Sequence, residues 1–196
     1  MKTLLTFSRA IDWLNEHVGK LTYWLILAAV LISTGNAIVR YALDMSSNAW
    51  LELQWYLFSF VFLFSAGYTL LHNQHVRIDI VTGSLSGRGR AWIDIFGTLF
   101  FLAPMAITIM WLSWPVFTDA YRSGEVSTNA GGLLVWPGRL MVPAAFFLLI
   151  LQAASELIKR VAFLMGMIPD PSEKDEGPTD EELLAQELRK QRGEPV

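Results

Sequence analysis

The sequence predicts an all-α membrane protein with four transmembrane helices, and three observations lead to this prediction. Of its 196 residues, 53% are hydrophobic and only 17% are charged, against about a quarter charged in an average soluble domain. Long uncharged stretches recur along the chain, and a helix needs about 20 such residues to cross the hydrocarbon core of a bilayer. The eight tryptophans are typical of membrane–water interfaces, where the indole ring is apolar and its N–H stays hydrated.

The first segment, residues 1–18, is predicted to be an amphipathic helix in the plane of the membrane surface. Arg9 and Asp12 interrupt any signal-peptide core. Apolar residues repeat at steps of three and four, as expected of one helix face, and they are Leu4, Phe7, Ile11, Leu14 and Val18. The alternative is a plain extension of the first transmembrane helix.

Residues 19–165 are predicted to form the transmembrane domain, with spans at about 20–40, 50–71, 93–118 and 136–160. Pro104 and Pro115 fall in the third span and predict kinks there. The uncharged part of the fourth span is short. We therefore expect Arg139, Lys159 and Arg160 to extend their charged ends toward the membrane surface, so that this segment completes a crossing.

The distribution of basic residues predicts the orientation. They are concentrated on the side of both termini, where they are Lys2, Arg9, Lys20, Arg77, Arg88, Arg90, Lys159 and Arg160. The opposite side has Arg40, Arg122 and Arg139. The positive-inside rule therefore places both termini in the cytoplasm.

Residues 166–196 are predicted to be an acidic cytoplasmic tail. Thr179-Asp-Glu-Glu182 has the spacing of a capping box. A short helix over 180–192 is expected to follow, with acidic residues in its first turn and basic residues in its last, as the helix dipole favours.

The second span begins with a polar and aromatic cluster that contains the main candidate site residue, Glu52. A carboxylate near the interface costs less than one at the bilayer centre, but it still favours a partner. We expect Glu52 to contact another subunit or to bond within the chain to Asn36 or Arg40. The alternatives are a carboxylate that simply reaches water and a role in ion transfer. The other candidates for a structural or subunit-interface role in this region are Asn36, Arg40, Trp50, Gln54 and Tyr56.

The histidines do not predict a haem site. His72 and His75 lie at the cytoplasmic end of the second span, whereas a four-helix haem protein needs histidines facing each other inside the bundle. We expect His75, Arg77 and Asp79 to anchor a tight cytoplasmic turn, and a zinc site formed by His72, His75 and Asp79 is the weaker alternative. The absence of cysteine excludes disulfides, thiol catalysis and Cys-ligated metals.

The loop between the third and fourth spans, residues 121–137, is long for a connection between adjacent helices. It contains a glycine pair and ends in an apolar segment with Trp136 as a potential interface anchor. It is expected either to meet a soluble partner or to be a packed connector. The candidate docking residues are Arg122, Glu125, Asn129 and Trp136.

The sequence contains no phosphate-binding loop, no nucleophile with its base and no carboxylate pair inside a span. No basic patch with interleaved aromatic residues indicates nucleic acid. Ionisable groups at membrane depth are the usual sign of transport chemistry, and they are nearly absent. The residues therefore predict a non-catalytic membrane protein that needs no cofactor, lies among lipids and depends on a partner. A haem- or quinone-linked redox protein and a self-sufficient homo-oligomeric carrier are the alternatives.

Several motifs resemble the small membrane subunit, the Q or DctQ-like permease subunit, of tripartite ATP-independent periplasmic (TRAP) transporters. The resemblance covers about residues 10–165. It rests on Trp50-Leu-Glu52, Phe64-Ser-Ala-Gly67, His75-Val-Arg-Ile-Asp79 and Ser123-Gly-Glu-Val-Ser127, with Trp136-Pro137 before the fourth span. The family commonly has a second acid directly after the first, and this chain has Leu53 there. The pattern is closer to the branch associated with 2-oxo acids and other small carboxylates than to the sialic acid branch.

The resemblance implies a multi-pass protein of the bacterial inner membrane with a scaffold role. In such systems a periplasmic binding protein captures an organic acid. The large membrane subunit holds the substrate and sodium sites and moves as an elevator. The small subunit widens the stationary part and helps to dock the binding protein.

Overall fold

A computed structural model describes residues 2–45, 47–74 and 86–171. Within these residues the chain forms four long helices, which are α1 (Lys2–Leu43), α2 (Asn48–Leu71), α3 (Gly87–Ser123) and α4 (Trp136–Leu164). Each is long and apolar enough to cross a membrane. The prediction of an all-helical chain with four potential spans is therefore confirmed, and each predicted span lies inside one of these helices. The predicted tail helix over 180–192 lies outside the described residues.

Helix α1 continues without a break from the predicted surface segment into the first span. Its buried residues lie three, four or seven positions apart and define one packed face, formed by Ser8, Ile11, Asn15, Gly19, Thr22 and Ala29. From the predicted apolar stripe, Leu4, Phe7 and Leu14 are exposed. The face that packs against the rest of the chain is therefore mostly small and polar, and much of the apolar stripe faces outward.

Helix α4 is the centre of the structure, because it packs against α1, α2 and α3. In its most apolar stretch 39% of the residues are buried, against 11% in α1 and 6% in α2 and in α3. Helices α1 and α2 form a close pair, and α3 packs mainly on α4. Most of the apolar surface is therefore left for lipid or for another protein.

Helices α1 and α2 cross closely at two glycines, Gly19 of α1 and Gly67 of α2. A Cβ atom at Gly67 would overlap the Asn15 side chain, and one at Gly19 would overlap the ring of Tyr68. The Asn15 Oδ1 atom is buried and has no conventional hydrogen-bond donor in the described part of the chain. The Asn15 Oδ1 atom lies along the direction in which a Gly67 Cβ would project, and a Cα hydrogen of Gly67 takes that direction. This is the geometry of a Cα–H···O contact between helices. Glycine at this position lets the two backbones approach closely.

Helix α3 contains a π-helical turn over Thr98–Leu102, which ends two residues before Pro104. Proline has no N–H to donate to the carbonyl four residues earlier, so a wider turn at this point accommodates it. Pro115 lies within the following α-helical part, which continues to Ser123. Gly124, in the left-handed conformation with φ +63°, ends the helix.

The structure has two ends, which we name by what lies there. The loop end consists of the C-terminal ends of α1 and α3, the starts of α2 and α4, and the outer loop, which we define as residues 124–135. The terminal end consists of the first half of α1, residues 72–74, the start of α3 and the end of α4. The polar contacts described next are concentrated at these two ends.

Candidate functional site

Three side chains on one face of α2 hold the outer loop. Asn48, Glu52 and Tyr56 follow each other at intervals of one helical turn, so they project to the same side. The Asn48 side-chain amide donates to the Ala130 carbonyl at 3.0 Å. The Tyr56 hydroxyl donates to the Leu134 carbonyl at 2.7 Å. We call these three residues the α2 ladder.

Glu52 is the central residue of the ladder and is buried, with 4% of its surface exposed. Its Oε1 atom accepts hydrogen bonds from the Ser127 hydroxyl and from the Asn129 amide, the latter at 2.8 Å. Its Oε2 atom accepts from the backbone N–H of Leu133 at 2.6 Å. A carboxylate is an acceptor-only group with two oxygens, and here both oxygens are used by loop donors.

The outer loop has a compact internal structure. Val126 and Leu134 pair as an isolated antiparallel bridge. The Ser127 N–H donates to the Leu133 carbonyl at 2.9 Å, and the Val135 N–H donates to the Glu125 carbonyl at 3.0 Å. Its turn contains Gly131 at φ +71°. The loop is therefore a short hairpin-like element rather than an irregular connector.

Glycine allows the hairpin to lie close to α2 at two points. A Cβ atom at Gly132 would be 2.5 Å from the Ser127 Cβ and 2.9 Å from Glu52 Oε1. A Cβ atom at Gly138, in the first turn of α4, would be 2.8 Å from the Tyr56 ring. A side chain at Gly132 would push the loop away from the ladder, and one at Gly138 would push the start of α4 away from Tyr56.

A bidentate ion pair and an aromatic contact fix the base of the hairpin to the neighbouring helices. Arg139 donates from Nη1 and Nη2 to the two carboxylate oxygens of Glu125 at 2.6 and 2.8 Å. Tyr121 and Trp136 pack edge to face, with ring centroids 5.5 Å apart. The ion pair is partly exposed, so its contribution to stability is small and its main effect is geometric.

The remaining candidates at the loop end lie away from the ladder. Asn36 and Trp50 line a cleft of about 480 Å³ between α1 and α2. Gln54 is 9% exposed, and its Nε2 atom has no hydrogen-bond partner among the described residues. Arg40 and Arg122 are exposed. The described hydrogen bonds of Glu52 thus join it to the outer loop and not to Asn36 or Arg40.

His75, Arg77 and Asp79, which the sequence analysis expects to anchor the turn between the second and third spans, lie outside the described residues. In the described part of the chain no group of three His, Cys, Asp or Glu side chains is arranged to hold a metal ion.

The terminal end contains a buried polar network that the sequence analysis did not predict. Gln152 accepts from the Asn15 amide at 2.9 Å and donates to Asp12 at 2.9 Å. Ser155 donates to Asp12 at 2.7 Å. The Lys159 ammonium lies 3.2 Å from Asp12 Oδ2 and also pairs with Glu156. The network joins α1 to α4, and its side chains lie in the interface between these two helices.

Four further ion pairs lie at this end, two at Glu16 and two at Arg160. His72 lies 2.7 Å from Glu16, which also pairs with Lys20 at 3.1 Å. Glu16 lies just before the uncharged span of α1. The hydrogen bond from His72, together with a smaller contribution from Lys20, holds the pKa of Glu16 below its ordinary value. Arg160 lies 3.2 Å from Asp94 of α3 and 3.5 Å from Asp170.

These contacts correct one expectation. Arg160 is only 3% exposed and Lys159 pairs inside the α1–α4 interface, so neither extends freely to the membrane surface. A signal was present in the sequence, because Gln152, Ser155, Glu156 and Lys159 are spaced by three and four residues and share one face of an apolar helix.

Comparison with known proteins gives one match. The family model described as "Tripartite ATP-independent periplasmic transporters, DctQ component" matches residues 29–163. The match extends from the middle of α1 almost to the end of α4, and it includes the α2 ladder and the whole outer loop. No curated protein and no solved structure is significantly similar to the chain.

Proposed function

The chain belongs to the DctQ component family of TRAP transporters, and we propose that it is a non-catalytic scaffold subunit for the large membrane subunit of such a transporter. In this proposal the complex takes up an organic acid, of the 2-oxo acid class, together with sodium ions. A periplasmic binding protein delivers the acid, and the small subunit does not bind it. The family match is the observation that carries the proposal.

The distribution of charge supports a scaffold role. The described ion pairs of the chain lie at the two ends of the structure, such as Glu125–Arg139 at the loop end and Asp12–Lys159 at the terminal end. Between these ends the helices present apolar side chains. A transport path needs polar or ionisable groups at membrane depth, and in the proposed complex the large subunit supplies them.

The proposed orientation places the terminal end in the cytoplasm and the loop end in the periplasm. It is supported by the excess of lysine and arginine at the terminal end and by the positive-inside rule. The membrane is then the inner membrane of a bacterium. The outer loop faces the compartment in which a periplasmic binding protein diffuses.

The loop-end half of α1 is the proposed contact with the large subunit. Beyond Ala29 no residue of α1 is buried in the chain itself. This half contains Ser33, Thr34, Gly35 and Asn36, which are small or polar, and helix contacts in membranes favour such residues. Large apolar residues are exposed both here, such as Leu31, and on α3, such as Phe101, so the run of small and polar residues is what favours this half of α1 as the contact.

The cleft beside this half of α1 supports the same assignment. Its lining includes Gly35 and Asn36 of α1 and Trp50 of α2, and a Cβ atom at Gly35 would meet nothing within 4 Å. The open space can accept side chains of a partner helix. The exposed Arg40 completes the proposed contact set.

Interface variants test this assignment. Gly35→Trp fills the cleft and should lower the yield of large subunit that co-purifies with the tagged chain. Phe101→Trp, on the exposed face of α3, is the matched control and should leave the yield unchanged. Equal yields for both variants would exclude the loop-end half of α1 as the contact.

The outer loop and its flanks are the proposed docking surface for the binding protein. Arg122, Glu125 and Asn129 are exposed, and Trp136 is half-buried beside them. The test is uptake in proteoliposomes that contain both membrane subunits. Uptake should require added binding protein and should saturate with its concentration. Uptake by the small subunit alone would contradict the scaffold function.

A further inference from the structure

The contacts of Glu52 point to a role that differs from a subunit contact. The side chain is buried in the chain itself, and its described hydrogen-bond donors all belong to the outer loop. These donors are a hydroxyl, an amide and a backbone N–H, and each is a neutral group. Glu52 is therefore engaged before any partner arrives.

The hairpin held in this way presents a defined outer surface. Val126 and Leu134 pair across it and are 54% and 46% exposed. Directly paired residues project to the same side of a two-stranded element. Exposed apolar side chains at such a position, with the Glu125–Arg139 pair beside them, fit a soluble protein that offers an apolar contact rimmed by polar groups.

We propose that Glu52 is a positioning residue, which holds the Val126–Leu134 face of the outer loop in the conformation that the binding protein recognises. This inference rests on the proposed function. Ordering a loop before binding increases affinity, because the loop then loses little conformational entropy when the partner binds. Loss of Glu52 should therefore weaken docking without removing any atom that touches the binding protein.

The arrangement requires a carboxylate. Glutamine has the same shape but only one acceptor oxygen, and its NH₂ group would face a loop donor. In Glu52→Gln, either the Leu133 N–H or the pair of Ser127 and Asn129 then loses its acceptor. A buried donor left without an acceptor is costly, so the loop should detach at least partly from α2.

The experiment combines two measurements on the complex of both membrane subunits. Hydrogen exchange reports whether residues 125–135 loosen, with the Leu133 amide as the most direct reporter. Uptake is then measured against the concentration of substrate-loaded binding protein. For Glu52→Gln we expect faster exchange in the loop and a roughly tenfold higher half-saturating concentration, which corresponds to about 1.4 kcal/mol. The maximal rate and the co-purification yield should stay the same.

Asp119→Asn is the matched control, because it also removes one carboxylate at the loop end but from an exposed position. It should leave both measurements unchanged. Ser127→Ala is the second variant, which removes one loop donor and leaves α2 intact. It should shift both measurements in the same direction as Glu52→Gln, by a smaller factor, and it keeps the test available if Glu52→Gln does not fold.

Three results would overturn the inference. The loop amides could exchange at the wild-type rate in Glu52→Gln. The loop could loosen while the half-saturating concentration stays the same. The large subunit could be lost on purification, which would make Glu52 a subunit contact. If uptake by the wild-type complex did not depend on added binding protein, the proposed function itself would be wrong.

Discussion

The Glu52 carboxylate accepts a hydrogen bond from the Leu133 backbone N–H at 2.6 Å, although the two residues are 81 positions apart in the sequence. This bond joins the start of one transmembrane helix to the loop between two others. Tyr56 and Asn48 add bonds to the same loop one turn away on either side. The loop end is therefore organised by a single face of α2.

Tyr56→Phe should loosen the far strand of the hairpin without unfolding the helices. The variant removes the hydroxyl that donates to the Leu134 carbonyl, and we expect a loss of about 1 kcal/mol in local stability. Hydrogen exchange of the loop amides measures it. Tyr41→Phe is the control, because Tyr41 is 93% exposed; equal exchange in the two variants would show that the Tyr56 bond does not hold the loop.

Gly67→Ala should destabilise the contact between α1 and α2. The added methyl group would overlap the Asn15 side chain, and overpacking of this kind typically costs ~1–3 kcal/mol. Thermal unfolding in detergent should occur at a lower temperature than for the wild type. Gly97→Ala, where the added Cβ meets nothing within 4 Å, should have the wild-type unfolding temperature or a higher one. A stable Gly67→Ala protein would contradict the close crossing.

Lys159→Met should strongly destabilise the interface between α1 and α4. It removes the cation that lies between Asp12 and Glu156 and leaves two carboxylates close together, at an expected cost of about 3 kcal/mol. Unfolding by denaturant in detergent measures the change. Lys20→Met is the control, since Lys20 is 62% exposed and pairs only at the helix surface. A similar small effect of both variants would mean that the network does not stabilise the helix pair.

The four potential membrane spans could be predicted from the sequence, because a chain in lipid must satisfy its backbone groups within each segment and long apolar runs show where it does so. The packed faces could not be predicted. Lipid-facing and buried faces of a span are both apolar, so hydropathy does not distinguish them. For this reason Leu4 and Phe7 stand out in the sequence as an apolar face of α1, whereas the residues that pack against the other helices include Ser8 and Asn15, which hydropathy does not single out.

The candidate site was predicted in part. Glu52 stood out as a carboxylate at the start of a span, and the outer loop stood out by its length and glycines. Their contact could not be predicted, since nothing local in the sequence links residues that are 75 to 81 positions apart. The same holds for Asn15 and Gln152, which bond across 137 positions.

The most direct test of the scaffold account is co-purification. The tagged chain is expressed with the large subunit of its transporter, extracted in mild detergent and separated by size. The account predicts one complex that contains both proteins in equal amounts and that transports only when binding protein is added. A chain that migrates alone, and that by itself supports uptake in proteoliposomes, would contradict the account.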